Sequence, residues 1–245
     1  MKTVIVAAGQ GIRLREETDR IPKTLLPFGE ETILSRIMAN FAAAGSSEFV
    51  IVTGCRGELI AEHLREHRNH GYRVTLVENP EWERGNGVSV AAARKALDPG
   101  ETVLLSMSDH LLPVEGLAAV LEARSRGNLL LIDPRPERIF DLDDATKVLV
   151  EGNRILDIGK EIATYNAIDC GVFRLDGRFF DALESRIAEG RESISDGARV
   201  LIERGEMEMV TLPGDLFWID VDTPASYRHA LENRERYLSQ LSGRR

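Results

Sequence analysis

Apolar and polar positions follow two rhythms along this chain, and the change from one to the other divides it. Up to residue 133, short apolar runs alternate with segments whose apolar positions recur every three to four residues. The runs at 3–7, 48–52, 73–78, 102–106 and 128–133 read as strands, and those at 3–7 and 48–52 as buried ones. The segments 33–44, 58–68, 88–97 and 114–126 read as helices. In the first of them Ile33, Leu34, Ile37, Met38 and Phe41 keep helical spacing, with Thr32 as its cap and Gly45 as its stop. Strands alternating with helices build a parallel sheet with helices packed on it.

Beyond residue 133 the rhythm changes. Residues 134–144 are charged and turn-rich and read as a loop. Residues 147–151 and 155–159 alternate in polarity across Gly152 and Asn153, the pattern of a β-hairpin. A strand at 166–174, helices at 179–189 and 195–204, a strand at 207–212 and an extended crossing at 218–222 follow. The last helix spans 224–241, with Pro224 in its first turn. No linker, repeat or low-complexity stretch interrupts the chain, so residues 1–245 form one domain with halves 1–133 and 134–245. The fold class is α/β: a Rossmann-like, mostly parallel mixed sheet flanked by helices, with a hairpin insertion in the second half.

The stretch 4–28 carries the first chemistry. A buried strand empties into Ala7, Ala8, Gly9, Gln10 and Gly11, and then Arg13, Pro22, Lys23 and Pro27 follow. Glycine has no Cβ, so such a loop lets backbone N–H groups approach phosphate closely. A dinucleotide fingerprint needs a third glycine where Leu14 stands, and a P-loop needs Gly-Lys-Ser/Thr where Gly11, Ile12 and Arg13 stand. Both fit poorly. Arg13 and Lys23 instead suit a triphosphate, to which each brings charge and donors.

Composition narrows the partners. The chain has 245 residues, 43% of them hydrophobic, enough for a sizeable core. A net charge of −9 argues against a nucleic-acid or membrane-surface binder, which needs a basic face. An anionic substrate then depends on locally placed cations. Lysine is scarce, with only Lys2, Lys23, Lys95, Lys147 and Lys160 in the chain, so each lysine near a motif gains weight. Cys55 and Cys170 follow no metal-ligand spacing, which makes a cytoplasmic protein with reduced thiols the expectation. The N-terminal apolar run is too short for a signal peptide, and no stretch reaches the length of a membrane helix.

Ligands of open parallel sheets bind beyond the carboxyl ends of the strands. The polar residues there are Gly9 to Arg13, Thr53-Gly54, Glu78-Asn79 and Ser108-Asp109. Asp109 can hold Mg²⁺, which prefers oxygen ligands and bridges to phosphates, or it can cap the following turn. In F-W-I-D-V-D-T-P, alternation puts Asp220 and Asp222 on one side of a strand, where they repel unless a cation lies between them. Asp222 is equally placed to cap the helix that starts at Pro224. The stretch 83–93 is a glycine turn opening a helix, whose N-terminus offers free N–H groups; there Asn86 can serve as an ordinary N-cap.

A-A-G-Q-G-I-R-L together with P-K-T-L-L-P-F-G resembles the sugar-phosphate nucleotidyltransferases, enzymes with a GT-A-like fold. The version G-N-G-V-S at 85–89 is similar to the cytidylyltransferases for choline phosphate and inositol phosphate. The segment from A-T-K-V through I-G-K to Y-N-A-I-D-C-G-V-F is close to the CTP:inositol-1-phosphate cytidylyltransferases. The resemblance runs from Val4 to about Tyr227.

It implies that residues 1–133 bind the nucleotide through Ala7, Ala8, Gly9, Gly11, Arg13, Lys23, Thr53, Gly54, Asn79, Gly85, Asn86 and Ser89. It implies that residues 134–245 bind the acceptor through Lys147, Lys160, Asn166 and Asp169, with a solvated strand face as the alternative for Lys147. Asp109, Asp220 and Asp222 are the implied Mg²⁺ ligands, and Arg13, Lys23, Asp109 and Lys160 the implied catalytic set. The implied partners are CTP and a small phosphorylated acceptor, inositol 1-phosphate first, with no nucleic acid and no membrane. Choline phosphate, a cyclitol phosphate or a hexose 1-phosphate, with CTP or another NTP, is the alternative. A nucleotide-sensing module that has lost catalysis is a third reading. Monomer and homodimer both stay open. Several members of the resembled group carry a fused membrane domain that uses CDP-inositol; a standalone form is the expectation here.

Overall fold

The computed structural model describes residues 1–14, 21–125 and 127–239. Strand β1 (Lys2–Ala7) is followed by the short bridge of β2 (Pro27–Phe28) with β3 (Glu31–Thr32), and then by helix α1 (Ile33–Ala43). The alternation continues through β4 (Glu48–Thr53), α2 (Gly57–Glu66), β5 (Arg73–Glu78) and α3 (Asn86–Ala92). Next come β6 (Val103–Met107), β7 (His110–Leu111), α4 (Val114–Glu122) and β8 (Asn128–Asp133). The second half holds β9 (Lys147–Glu151), β10 (Arg154–Gly159), β11 (Ala167–Leu175), α5 (Gly177–Ala188) and α6 (Ile194–Glu203). It closes with β12 (Met207–Thr211), β13 (Ile219–Asp220), α7 (Pro224–Glu232) and α8 (Arg234–Ser239).

Nine strands form one sheet in the order β5-β4-β1-β6-β11-β8-β12-β10-β9. Strands β5, β4, β1 and β6 are all parallel. Strand β11 enters antiparallel between β6 and β8, β12 runs parallel to β8, and the β9–β10 hairpin follows β12, with β9 also pairing antiparallel with the start of β11. Parallel pairing therefore carries the first half of the sheet, and mostly antiparallel pairing the second. From β1 the chain winds out to β4 and β5, then returns to the other side of β1 as β6. That reversal opens a crevice beyond the carboxyl ends of β1 and β6, where ligands of such sheets bind.

Alternation along the strands feeds two cores, one on each face. In β1, Ile5 and Ala7 join the core that contains Leu34, Phe41, Leu117 and Tyr237. Val4 and Val6 join the one that contains Val90, Phe179, Leu183 and Leu201. Each buried aliphatic or aromatic side chain contributes about 1.5–3 kcal/mol through area removed from water. Thr32 does cap α1, accepting the Ser35 N–H at 3.2 Å.

Several boundaries differ from the sequence expectation. Helix α3 starts two residues earlier, at Asn86, and its α-helical part stops at Ala92, with a 3-10 turn Ala93–Ala96 after it. Helix α4 ends at Glu122; Arg126, where it was expected to end, lies outside the described residues. The closing helix breaks at Asn233, whose side-chain amide donates to the His229 carbonyl at 2.9 Å and competes with the helical ladder. Residues 240 and 241 lie outside the described residues. The bridges β2–β3 and β7–β13 are two residues long, too short to leave an alternation signal. Among the described residues no helix is long and apolar enough to cross a membrane, and Cys55 and Cys170 are free thiols.

One buried cation holds the middle of the sheet. The Arg174 guanidinium is buried and donates to the carbonyls of Val120 and Ala123 at 3.2 Å each, and to that of Ser125. These are carbonyls at and beyond the end of α4, which a cation there satisfies. Arg174→Leu leaves them unpaired in the interior, at a cost of about 2 kcal/mol. Thermal denaturation should show a Tm lower by about 4–8 °C; an unchanged Tm would show that water replaces the guanidinium freely.

Candidate active site

The glycine loop after β1 is shaped around a lysine. Gly11 sits at φ +64, and a Cβ there would lie 3.3 Å from Cβ of Lys23, so the loop closes over the lysine stem. Leu14 N–H donates to Gly11 O at 3.0 Å, forming the turn that carries Arg13. Lys23 opens a second turn, in which Leu26 N–H donates to Lys23 O at 3.1 Å. The C-terminal helices pin this segment: the Tyr227 hydroxyl donates to Pro27 O at 2.6 Å, and Tyr237 meets Phe28 edge-on at 5.7 Å.

Both cations are held by carboxylates from elsewhere in the chain. Lys23 Nζ donates to Asp222 Oδ1 at 2.6 Å and to Asp109 Oδ2. Arg13 donates through one nitrogen to Asp222 and through the other pairs with Asp144 Oδ2 at 2.7 Å. Lys160 Nζ donates to the other oxygen of Asp144 at 2.8 Å. Asp144 thus bridges a cation of the glycine loop and a cation of the second half. Arg13, Asp109, Asp144, Lys160 and Asp222 line a cavity of about 280 Å³ that also includes Asp169 and Asp220.

His110 completes the cluster. Its Nδ1 donates to Asp109 Oδ1 at 2.7 Å and lies 3.7 Å from Asp220 Oδ1, because β7 pairs with β13 and sets His110 opposite Asp220. Its ring stacks on Trp218 at 5.6 Å, and the Trp218 Nε1–H donates to Asp133 at 3.0 Å. Gly171, at φ +72 in a bulge of β11, makes room: a Cβ there would be 2.6 Å from His110 Cδ2. Burial alone would lower the His110 pKa; Asp220, Asp109 and Asp169 outweigh it and push it up to about 9. Burial would raise Asp109, but Lys23 and His110 hold it well below the usual carboxylate range. Asp169 is raised to about 6 by burial, against the opposing Gly171 N–H and His110. Asp220 is raised by burial, and Asp144 is lowered by Lys160 and Arg13 against burial.

The capping alternatives fall away. Thr223 caps α7 in a reciprocal box with Ser226, which leaves the Asp222 carboxylate for Lys23 and Arg13. Pro113 stands at the start of α4, so Asp109 is no cap either. Asn86 is not an N-cap: Gly85 has that place, and Asn86 Oδ1 accepts the Ile194 N–H at 3.0 Å. Three carboxylates on one cavity fit a hard divalent cation. Asp220 Oδ1 is buried without a hydrogen-bond partner, and donor atoms of Asp109, His110 and Asp220 lie within 4.8 Å of one another. The Lys23 ammonium already lies between Asp109 and Asp222 as a cation of the protein's own.

The remaining expected residues fall into two groups. Ala7, Ala8, Gly9, Gly11, Thr53, Gly54, Asn79, Gly85 and Ser89 follow or flank the strand ends outside this cavity. Cys55 N–H donates to Ala8 O at 3.0 Å, and a Cβ on Gly54 would strike Trp82 at 2.4 Å, so the turns after β1 and β4 are locked together. Asn79 Nδ2 donates to Ser89 Oγ at 2.9 Å, and both are buried. The glycines of G-N-G serve packing: a Cβ on Gly85 or Gly87 would come within 2.4 or 2.6 Å of Glu192 O. Gly87 N–H donates to that carbonyl at 2.8 Å.

Two acceptor candidates lie away from the cavity. Asn166 is engaged with the N–H and carbonyl of Val150, both at 2.9 Å, and extends the β9 edge. Lys147 donates to the carbonyls of Asp143 at 3.1 Å and Lys160 at 3.0 Å, and so ties the Asp144 loop to the Lys160 turn. It is neither an open strand face nor a cavity lining. Asp144 and Trp218 were not singled out from sequence. The only signal for Asp144 was its place at the end of the charged loop 134–144.

A doubly wound sheet with a glycine loop after its first strand, and cations and carboxylates gathered at its switch point, defines a nucleotidyltransferase-type α/β protein. Residues 3–140 match the MobA-like NTP transferase domain, and the chain belongs to that family. It is 36% identical over 227 residues to the bifunctional IPC transferase and DIPP synthase of Rubrobacter xylanophilus, covering 91% of this chain and 50% of that protein. The protein of the same name from Thermococcus kodakarensis is 32% identical over 229 residues, covering 94% and 49%. The chain thus spans about half the length of these curated relatives. Among solved structures it is similar to the inositol-1-phosphate CTP transferase from T. maritima, with TM-score 0.86, 25% identity and coverage of 99% and 96%. UDP-glucose pyrophosphorylase shares the fold, with TM-score 0.79 at 18% identity and coverage of 98% of each chain.

Proposed function

We propose that this chain transfers the cytidylyl group of CTP to inositol 1-phosphate, giving CDP-inositol and pyrophosphate. A phosphate oxygen of the acceptor attacks the α-phosphorus in line. The new P–O bond forms as the bond to the bridging oxygen of pyrophosphate breaks. The acceptor phosphate is already an anion near neutral pH, so no general base is required. Catalysis is then positioning and charge neutralisation.

The observation that carries this reading is Asp144 holding Arg13 on one oxygen and Lys160 on the other. A triphosphate site and an acceptor-phosphate site then adjoin, each with a cation parked on a shared carboxylate. Arriving phosphates compete for Arg13, Lys23 and Lys160 and release Asp109 and Asp222. Asp109, Asp220 and Asp222 would hold Mg²⁺, which when bound supplies positive charge to the triphosphate oxygens. Lys23 and Arg13 steady the triphosphate, and Lys160 orients the acceptor phosphate. Asp169, in the same cavity, suits a ring hydroxyl. The choice of CTP is supported by the Gly85, Asn86 and Ser89 pattern, and the choice of acceptor by the names of the relatives.

A pyrophosphate-release assay with CTP, MgCl₂ and inositol 1-phosphate, choline phosphate or glucose 1-phosphate tests it. Inositol 1-phosphate should turn over fastest. Turnover with glucose 1-phosphate and none with inositol 1-phosphate rejects the acceptor. No pyrophosphate with any acceptor points to a nucleotide-binding module.

A further inference from the structure

Three of the five histidines of the chain, His63, His67 and His70, meet at the end of α2, away from the cavity above. A spacing of four puts His63 and His67 on one face, a turn apart. His70 arrives by an unusual route. Arg68, Asn69 and His70 have φ of 49, 52 and 52, followed by Gly71 at 82. Left-handed backbone is uncommon outside glycine, and three such residues in a row store strain. Their effect is to fold the His70 ring back beside His67, stacked at 5.2 Å.

The ring nitrogens then converge: one from each histidine, all within 4.8 Å of one another. His67 Nδ1 lies 2.8 Å from the His63 carbonyl, which can only accept, so Nδ1 carries the proton and Nε2 keeps its lone pair. A backbone carbonyl holding one imidazole nitrogen is how proteins orient metal-binding histidines. The Nε2 atoms of His63 and His70 each lie 3.1 Å from Ser35 Oγ, which has one proton to give to the two of them. The cluster opens on a groove lined by Glu30, Glu31, Thr32 and Tyr72, with room for water as a fourth ligand.

We propose that His63, His67 and His70 form a second metal site, which takes one borderline divalent transition ion of the Zn²⁺ class. Three imidazoles and an open position suit Zn²⁺ and reject Mg²⁺, which demands oxygen ligands. The site is chemically orthogonal to the carboxylate cavity. Bound metal would tie His63 in α2 to the left-handed turn that follows the helix and carries His70.

Calorimetric titration of chelator-treated protein with ZnCl₂, in saturating MgCl₂ to fill the carboxylate cavity, tests the proposal. One equivalent should bind, and CoCl₂ in its place should give the visible bands of a tetrahedral imidazole site. Zn²⁺ at about 100 times its Kd should raise Tm by about 5–10 °C. His67→Ala, at an exposed position, and His70→Asn, which tolerates the left-handed turn, should each weaken binding at least about 10-fold. Asp109→Asn should bind Zn²⁺ as the wild type does. Absence of binding in the wild type, binding retained by both histidine variants, or binding lost in Asp109→Asn would each overturn the site.

Discussion

Asp109→Asn should leave a folded protein that no longer makes product. The wild-type centre crowds Asp109, Asp220 and Asp222 around Lys23, Arg13 and His110. Asparagine keeps the shape of the side chain and removes one negative charge from a cluster rich in them. It can still accept from Lys23 or His110, and Lys23 keeps Asp222, so the apo protein gives up only part of the stability its carboxylate contributes. Tm should stay within about 2–4 °C of wild type, a change of about 1 kcal/mol or less. Turnover depends on the charge itself, because the carboxylate is what places a cation against the triphosphate. Losing one preorganised electrostatic group of this kind costs about 10²–10³ in kcat. Pyrophosphate release measured beside a melting curve separates the two effects. Activity within tenfold of wild type would remove Asp109 from the metal set, and a collapsed Tm would make its role structural.

The sequence made the glycine loop legible for a local reason. A buried strand running into glycines with Arg13 and Lys23 is a pattern contained within 25 residues, and its backbone conformation depends on neighbours in the chain. The same holds for the Thr32 cap, which needs a partner three residues on, whereas the cap of α7 was read at Asp222 and lies one residue later, at Thr223. What stayed hidden depends on contacts between distant segments. Asp144 lies in a loop whose only visible property was charge, and its role arises from meeting Arg13, 131 positions earlier, and Lys160. From sequence His110 reads as a histidine able to coordinate but more simply solvent-exposed or structural; its pairing with Asp220 stayed hidden because the β7–β13 bridge is two residues long. The packing of Gly85 on Glu192 and the hydrogen bond from Ile194 N–H to Asn86 were equally hidden, because those partners belong to the other half of the chain. Asn166 fits a polyol by chemistry, and the edge of β9 takes its amide first.

Lys23→Met should behave in the opposite way to Asp109→Asn, damaging stability as well as activity. Lys23 Nζ is the part-buried cation between Asp109 and Asp222, so its removal leaves two carboxylates facing each other with no lysine charge between them. Breaking a largely buried pair in this manner costs on the order of 3 kcal/mol, or about 6–12 °C in Tm for a chain of this size. The pH dependence follows from the direction of the Asp109 shift. Its folded pKa is depressed, so in the wild type it contributes stability that is present above the unfolded carboxylate pKa and lost as pH falls through the folded one. Without Lys23 that depression shrinks, so the gap between variant and wild type should be widest near neutral pH and close on acidification. Magnesium supplies the second check. If Asp109, Asp220 and Asp222 form a divalent-cation site, millimolar MgCl₂ should return much of the lost Tm in Lys23→Met, since the ion replaces the missing ammonium. Activity should stay low, because the triphosphate still lacks its lysine. A variant whose Tm is indifferent to Mg²⁺ would show that these carboxylates answer to lysine alone and that the cation belongs elsewhere.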